Sequence, residues 1–212
     1  MKYFFLIYPL IYLTILVTGI VYYPKIRNSL KLKLFLIFIG YSLLTEILAY
    51  ILGVLYGINT FFLYNIWSLA NFFFYMFFFL SLLKIPKKRN IVKTIIFSYS
   101  LYTCIEIGFF ANFLQMPLDL NTIIGSLLLV IIILIYFSEL LQDDAILNLN
   151  QTIFFWIGLA VLLFNIGFIP VFVIAEYIYF GGVFRIITLI LNLIMMACFI
   201  TGFIVSKKEF NS

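Results

Sequence analysis

Residues 34–55 read LFLIFIGYSLLTEILAYILGVL, and Glu46 is their only charged side chain. About 20 apolar residues in a helix cross the hydrocarbon core of a bilayer, so this stretch is long enough to span one. Its polar and small residues Ser42, Thr45, Glu46, Ala49, Tyr50 and Gly53 recur at helical spacing in one stripe, with Leu43, Ile47 and Ile51 off it. Lipid tails are as apolar as leucine, so in a membrane it is packing and hydrogen bonding that tell one helix face from another. The stripe therefore marks the face turned toward protein.

Six more stretches share this character: about 3–23, 61–83, 93–114, 120–141, 152–175 and 183–205. Short polar or turn-forming junctions separate the seven and leave no room for a soluble domain. The 212 residues are thus expected to form one all-α, polytopic, seven-helix transmembrane domain. Composition agrees, with 66% apolar residues and 10% charged, against about 25% charged in a soluble domain. The first helix is expected to be retained, not cleaved as a signal peptide. Its apolar run is too long, Lys2 is a thin basic start, and no small-x-small cleavage site precedes Pro24.

Placing the N-terminus outside and the C-terminus inside puts all the basic residues except Lys2 and Arg185 on the cytoplasmic side. These are Lys25, Arg27, Lys31 and Lys33, then Lys84, Lys87, Lys88, Arg89 and Lys93, and finally Lys207 and Lys208. Such short basic loops are a topology signal and do not point to nucleic acid. An internal echo accompanies them: Glu46-Ile47-Leu48, Glu106-Ile107-Gly108-Phe109 and Asn165-Ile166-Gly167-Phe168 recur at near-equal spacing. The echo fits three hairpins after a lone first helix, or a three-plus-one-plus-three repeat.

Several chemistries are excluded. Without a histidine the chain lacks the commonest general base and zinc ligand. Cys104 and Cys198 sit in apolar runs and read as small buried hydrophobes, not as a metal motif or redox pair. No glycine-rich phosphate loop occurs, and residues 183–205 hold no lysine for a retinal Schiff base. No metal or cofactor is expected, and no catalytic residue stands out.

What remains is a belt of polar side chains. Tyr64, Ser68, Asn71 and Tyr75 form a seam on the third helix, as do Arg185, Thr188 and Asn192 on the seventh. Counting the rise per residue puts Glu46 and Asn71 near the midplane, with Glu106, Asn165 and Asn192 about 2–5 Å outward. No basic residue stands at that depth to pair with the glutamates. An ionised carboxylate there costs several kcal/mol, so either the glutamates are protonated or a cation occupies the site. Glu46, Glu106, Asn71, Asn165, Asn192, Thr45 and Tyr50 are therefore the candidate ligand- or proton-binding residues. One polar cavity open toward the outer face is the arrangement expected of them. The plainer alternative is interhelical hydrogen bonding, worth about 0.6 kcal/mol per contact. At the outer mouth Glu176 and Arg185 form a candidate ion pair across Gly181 and Gly182, or else an interfacial anchor with Tyr177 and Tyr179.

Tyr41-x-x-Leu44-Thr45-Glu46-Ile47, Leu63-Tyr64-Asn65-Ile66, Gly125-Ser126, Tyr136-Phe137-Ser138-Glu139-Leu140 and Phe155-Trp156-Ile157 follow one another in order. Over nearly its whole length the chain thereby resembles a family of small uncharacterised seven-helix integral membrane proteins of Bacteroidota, often encoded near sensor histidine kinases. It departs in lacking a proline near Ile153 and in carrying Asn71 where the family often has Glu. The resemblance implies the seven-helix fold, a multi-pass place in the bacterial inner membrane, and signalling. Three function classes fit. One is a membrane sensor or accessory module with an intramembrane site on two glutamates, which meets a membrane signalling partner or a small cationic ligand within the lipid bilayer. Another is a transporter of a small solute, cation or proton. The third is an intramembrane enzyme using a carboxylate pair, which fits worst because histidine and metal motifs are absent.

Overall fold

A computed structural model describes residues 6–142, 149–177 and 181–211, and the described residues are helical with no strand. Seven long helices follow one another: α1 Ile7–Val21, α2 Leu30–Tyr50, α3 Phe61–Leu82, α4 Pro86–Ile105, α5 Asp119–Leu140, α6 Ile153–Tyr177 and α7 Gly181–Val205. Wider π-helical turns extend α2 through Ile51–Leu55 and α4 through Glu106–Phe110. Six of the seven are long and apolar enough to cross a membrane; α1 is the shorter one. The chain is thus built as a multi-pass membrane protein.

The ends of two helices differ from the hydropathy reading. α2 begins at Leu30, not near 34, and α4 begins at Pro86, not near 93. Hydropathy marks where a chain stops being apolar, whereas a helix runs on until its hydrogen bonds find other partners. Pro86 has no N–H to lose at the first helical position. Just before it the Glu139 carboxylate accepts the Lys84 and Ile85 N–H groups, so the basic residues at 87–89 lie inside the helix. α4 also ends before 114, because Asn65 on α3 holds the Phe113 and Met116 carbonyls at 2.8 Å and turns the backbone away.

Six helices close a ring in the order α1, α2, α3, α5, α6, α7, with α7 returning to α1. α4 packs on α3 and α5 from outside that ring. Cys104 on α4 is accordingly exposed and Cys198 on α7 only half-buried, so the expectation of two buried thiols does not hold. Lys25, in the turn after α1, fastens the ring by donating to the Phe203 and Ile204 carbonyls at 3.1 and 2.6 Å. A cation is well placed at a helix C-terminus, where carbonyls lack partners. At the same end, Asn211 Oδ1 accepts the Ile153 N–H at 3.0 Å and the Lys207 N–H meets the Gln151 carbonyl at 2.9 Å. The short loops place Lys25, Lys84, Lys88 and Lys207 together there, at the basic end. The far end carries the 56–60 and 111–118 loops, joined by Asn59 and Asn65. Gly57 makes the first of these turns possible, since its φ of 68° is strained for any side chain.

Glycines also let helices approach. A Cβ on Gly125 of α5 would lie 2.8 Å from the Phe72 ring of α3, whereas one on Gly40 would meet nothing within 4 Å. Gly125→Leu is therefore expected to destabilise by about 1–3 kcal/mol through overpacking. Gly40→Ala should be neutral or stabilising by up to about 1 kcal/mol. Thermal midpoints in detergent check both, and equal midpoints for the two variants would refute the close approach.

Candidate functional site

Ring closure turns the polar faces of several helices toward a common centre. A cavity of about 20 Å³ lies there, walled by Tyr12 of α1, Ser42 of α2, Trp67, Asn71 and Tyr75 of α3 and Asn165 of α6, with apolar residues between them. That volume holds about one water molecule. The Trp67 Nε1–H donates to Ser42 Oγ at 3.1 Å, tying α3 to α2 at the wall. Among the described residues nothing hydrogen-bonds the Asn71 side chain, so its amide is left for whatever occupies the space. Asn165 turns one N–H back to the Val161 carbonyl at 2.7 Å, which pins its rotamer while the residue still lines the wall.

One helical turn from Ser42 toward the far end stands Glu46. The Tyr64 hydroxyl donates to its Oε2 at 3.4 Å, a long contact between α2 and α3. Tyr8 and Tyr12 of α1 lie within its electrostatic range, and Arg185, exposed at the start of α7, lies within that of Tyr8. Glu46 is half-buried among phenols, with the cavity on one side and the far end on the other. Among the described residues, tyrosine hydroxyls are the polar groups gathered around this carboxyl.

Glu106 belongs to a different cluster. It opens the π-helical turn of α4, and Asn121 of α5 donates to its Oε2 at 2.8 Å. Asn121 also donates to Thr103 Oγ1 at 3.0 Å and accepts the Tyr99 hydroxyl at 2.6 Å. Because α4 lies outside the ring, this cluster sits between α4 and α5, away from the central cavity.

The structure thus brings Asn71 and Asn165 to one cavity, stands Glu46 beside it and leaves Glu106 elsewhere. Asn192 donates to the Thr188 carbonyl at 2.8 Å, one turn from the cavity residue Met195. Thr45 is buried with its hydroxyl on the Tyr41 carbonyl at 3.0 Å, and Tyr50 is half-buried where α2 passes into its π-helical turn. The Glu176–Arg185 pair lies outside the described residues, since the Glu176 side chain is not among them. Among the described residues no cluster of carboxylates and thiols is grouped to hold a metal ion.

Four polar residues with central contacts were not singled out as site residues by the sequence. Tyr12 shows no polar stripe on its own helix, and Asn121 stands at the edge of its apolar run, where a polar residue reads as a junction. Asn65 and Tyr99 bond to groups far along the chain, for which periodicity offers no signal. Compared with known proteins, the chain matches no family model, no curated protein and no solved structure.

Proposed function

We propose that the protein is an integral sensor or accessory module of the bacterial inner membrane, with Glu46 as its responsive group. In this reading all seven helices span, with the N-terminus outside and the basic end in the cytoplasm. The observation that carries it is Glu46 itself: a carboxyl inside the ring, held by one long phenol contact, next to a cavity bordered by Ser42, Asn71 and Asn165. A carboxyl serving only as interhelical glue would be expected to sit in a short hydrogen bond, as Glu106 does with Asn121 at 2.8 Å. Protonation removes the charge from Glu46 and changes what Tyr64, Tyr8 and Tyr12 face. That shifts the α1–α2–α3 contacts, and α2 and α3 run directly into the basic loops where a membrane signalling partner would read the change. The kinase neighbourhood implied by the family resemblance fits that output. The position of α4 outside the ring fits a three-plus-one-plus-three division, with α4 as the linking helix.

A transporter would need the polar path to continue to the basic end. Packed aromatic rings stand in its way, which favours sensing over transport.

Trp67 supplies a reporter, because its indole N–H rests on Ser42 at the cavity wall. A Trp156→Phe background leaves it as the single tryptophan. Its fluorescence in nanodiscs is expected to change with pH as the Glu46 carboxyl gains or loses its proton. As pH falls, the neutral form of Glu46 accumulates. Glu46→Gln keeps the hydrogen bond from Tyr64 and fixes the neutral state, so its signal should be flat and match wild type at low pH. A flat wild-type response, or a Glu46→Gln variant that titrates like wild type, overturns the assignment.

A further inference from the structure

Following each helix from the cavity toward the basic end gives the same result. On α2 the next inward-facing ring after Phe38 is Phe35, fully buried; on α3 it is Phe78 with Phe79; on α6, Phe154; on α7, Phe199 and Phe203. Phe35 meets Phe199 edge-on with centroids 5.0 Å apart, and lies 6.2 Å from Phe78 and 6.4 Å from Phe203. Phe78 continues the layer to Phe154 at 6.0 Å. Four helices of the ring thus contribute to one aromatic layer, with Ile15 of α1, also fully buried, inward of Tyr12. Edge-to-face and offset rings pack without gaps, and such a layer offers water no polar partner.

Toward the far end the lining is the opposite. Tyr12 is followed by Tyr8 on α1, Ser42 by Glu46 on α2, and Asn71 by Tyr64 on α3, which is 36% exposed. Arg185 lies beyond, in range of Tyr8. Polar side chains therefore flank the cavity toward the far end, and packed rings close it toward the basic end.

We infer that Glu46 is a one-ended proton site, reached from the far end past Tyr8 and Tyr64 and shut off from the basic end by the Phe35–Phe78–Phe154–Phe199–Phe203 layer beyond the cavity. The cavity beside Glu46, about 20 Å³, admits one water and excludes organic amines. Tyr64 of α3 bonds Glu46, and Tyr8 and Tyr12 of α1 lie within its electrostatic range, with Tyr75 in that of Tyr12 and Arg185 in that of Tyr8. The site thus reports the medium at the far end and ignores that at the basic end. This deepens the Glu46 reading and rests on it.

The test uses the full chain with Trp156→Phe in liposomes, its orientation fixed by protease access to the C-terminal tail. The pH is stepped on one side at a time with impermeant buffers, and Trp67 fluorescence is followed. A step at the far end is expected to give the full shift, and the same step at the basic end none. Phe35→Ala with Phe199→Ala should open the layer and make the basic-end step effective as well. At constant pH, sodium or choline at the far end should leave the signal unchanged. An equal response to a basic-end step in the unmodified layer, or a shift induced by sodium or choline, overturns the one-ended proton site while leaving Glu46 as the titrating group. Loss of response from both sides instead removes the Glu46 reading, and this inference with it.

Discussion

Asn65→Ala is expected to destabilise the protein by about 2–4 kcal/mol, well above the usual cost of one polar substitution. The Asn65 side chain is 4% exposed and makes three hydrogen bonds to one loop. Its amide donates to the Phe113 and Met116 carbonyls at 2.8 Å each, and its Oδ1 accepts the Leu118 N–H at 3.1 Å. These three backbone groups connect the end of α4 to the start of α5, and the alanine variant leaves all three without their partner. A net hydrogen bond contributes about 1 kcal/mol, and each buried group left unpaired costs about 1–3 kcal/mol, reduced here by access of water to the loop. Asn65→Asp separates the parts, because a carboxylate still accepts from Leu118 but donates to neither carbonyl. It should lie between wild type and alanine. Chemical unfolding in micelles measures the cost, and hydrogen exchange should show lost protection at Leu118 and Thr122. An alanine variant within about 0.5 kcal/mol of wild type would mean the loop holds itself.

The same residue shows where sequence reasoning reaches and where it stops. Apolar runs long enough to cross a bilayer are visible one residue at a time, because transfer from water is a property of each side chain. The stripe on α2 was legible for a related reason. Helical periodicity places Ser42, Thr45 and Ala49 on one face, and in the structure all three are buried. Three-body geometry is not legible in this way. Asn71 and Asn165 share a cavity because α3 and α6, separated in the ring by α5, both turn a face to its centre, and no local pattern encodes the ring's order. The exclusion of α4 from that ring has the same origin, and it carries Glu106 away from Glu46 although their local sequences resemble each other. Helix ends were missed where long-range partners set them, as Glu139 does for α4. The polar seam on α3 likewise proved to face three ways. Tyr64 meets Glu46, Ser68 meets Thr122 at 3.4 Å, and Asn71 and Tyr75 line the cavity.

The Glu106 cluster yields the second large effect. Asn121 is 1% exposed and binds Glu106, Thr103 and Tyr99 at once. Asn121→Leu removes the donor to the carboxylate and the acceptor for the Tyr99 hydroxyl, at an expected cost of about 2–5 kcal/mol. Most of that cost is the penalty of a carboxylate left without its donor, so removing the carboxylate as well should recover part of it. The double variant Asn121→Leu with Glu106→Leu is therefore expected to be milder than the sum of the singles by about 1–3 kcal/mol. Glu106→Gln alone should cost under about 1 kcal/mol, since its amide oxygen still accepts from Asn121. Glu46 shares none of these partners. The pair Glu46→Gln and Glu106→Gln should accordingly add to within about 0.3–0.5 kcal/mol, the behaviour of independent sites. Coupling beyond that margin would mean that the two carboxyls sense one another across α3, and would return them to the single shared cavity that their matching depth first implied.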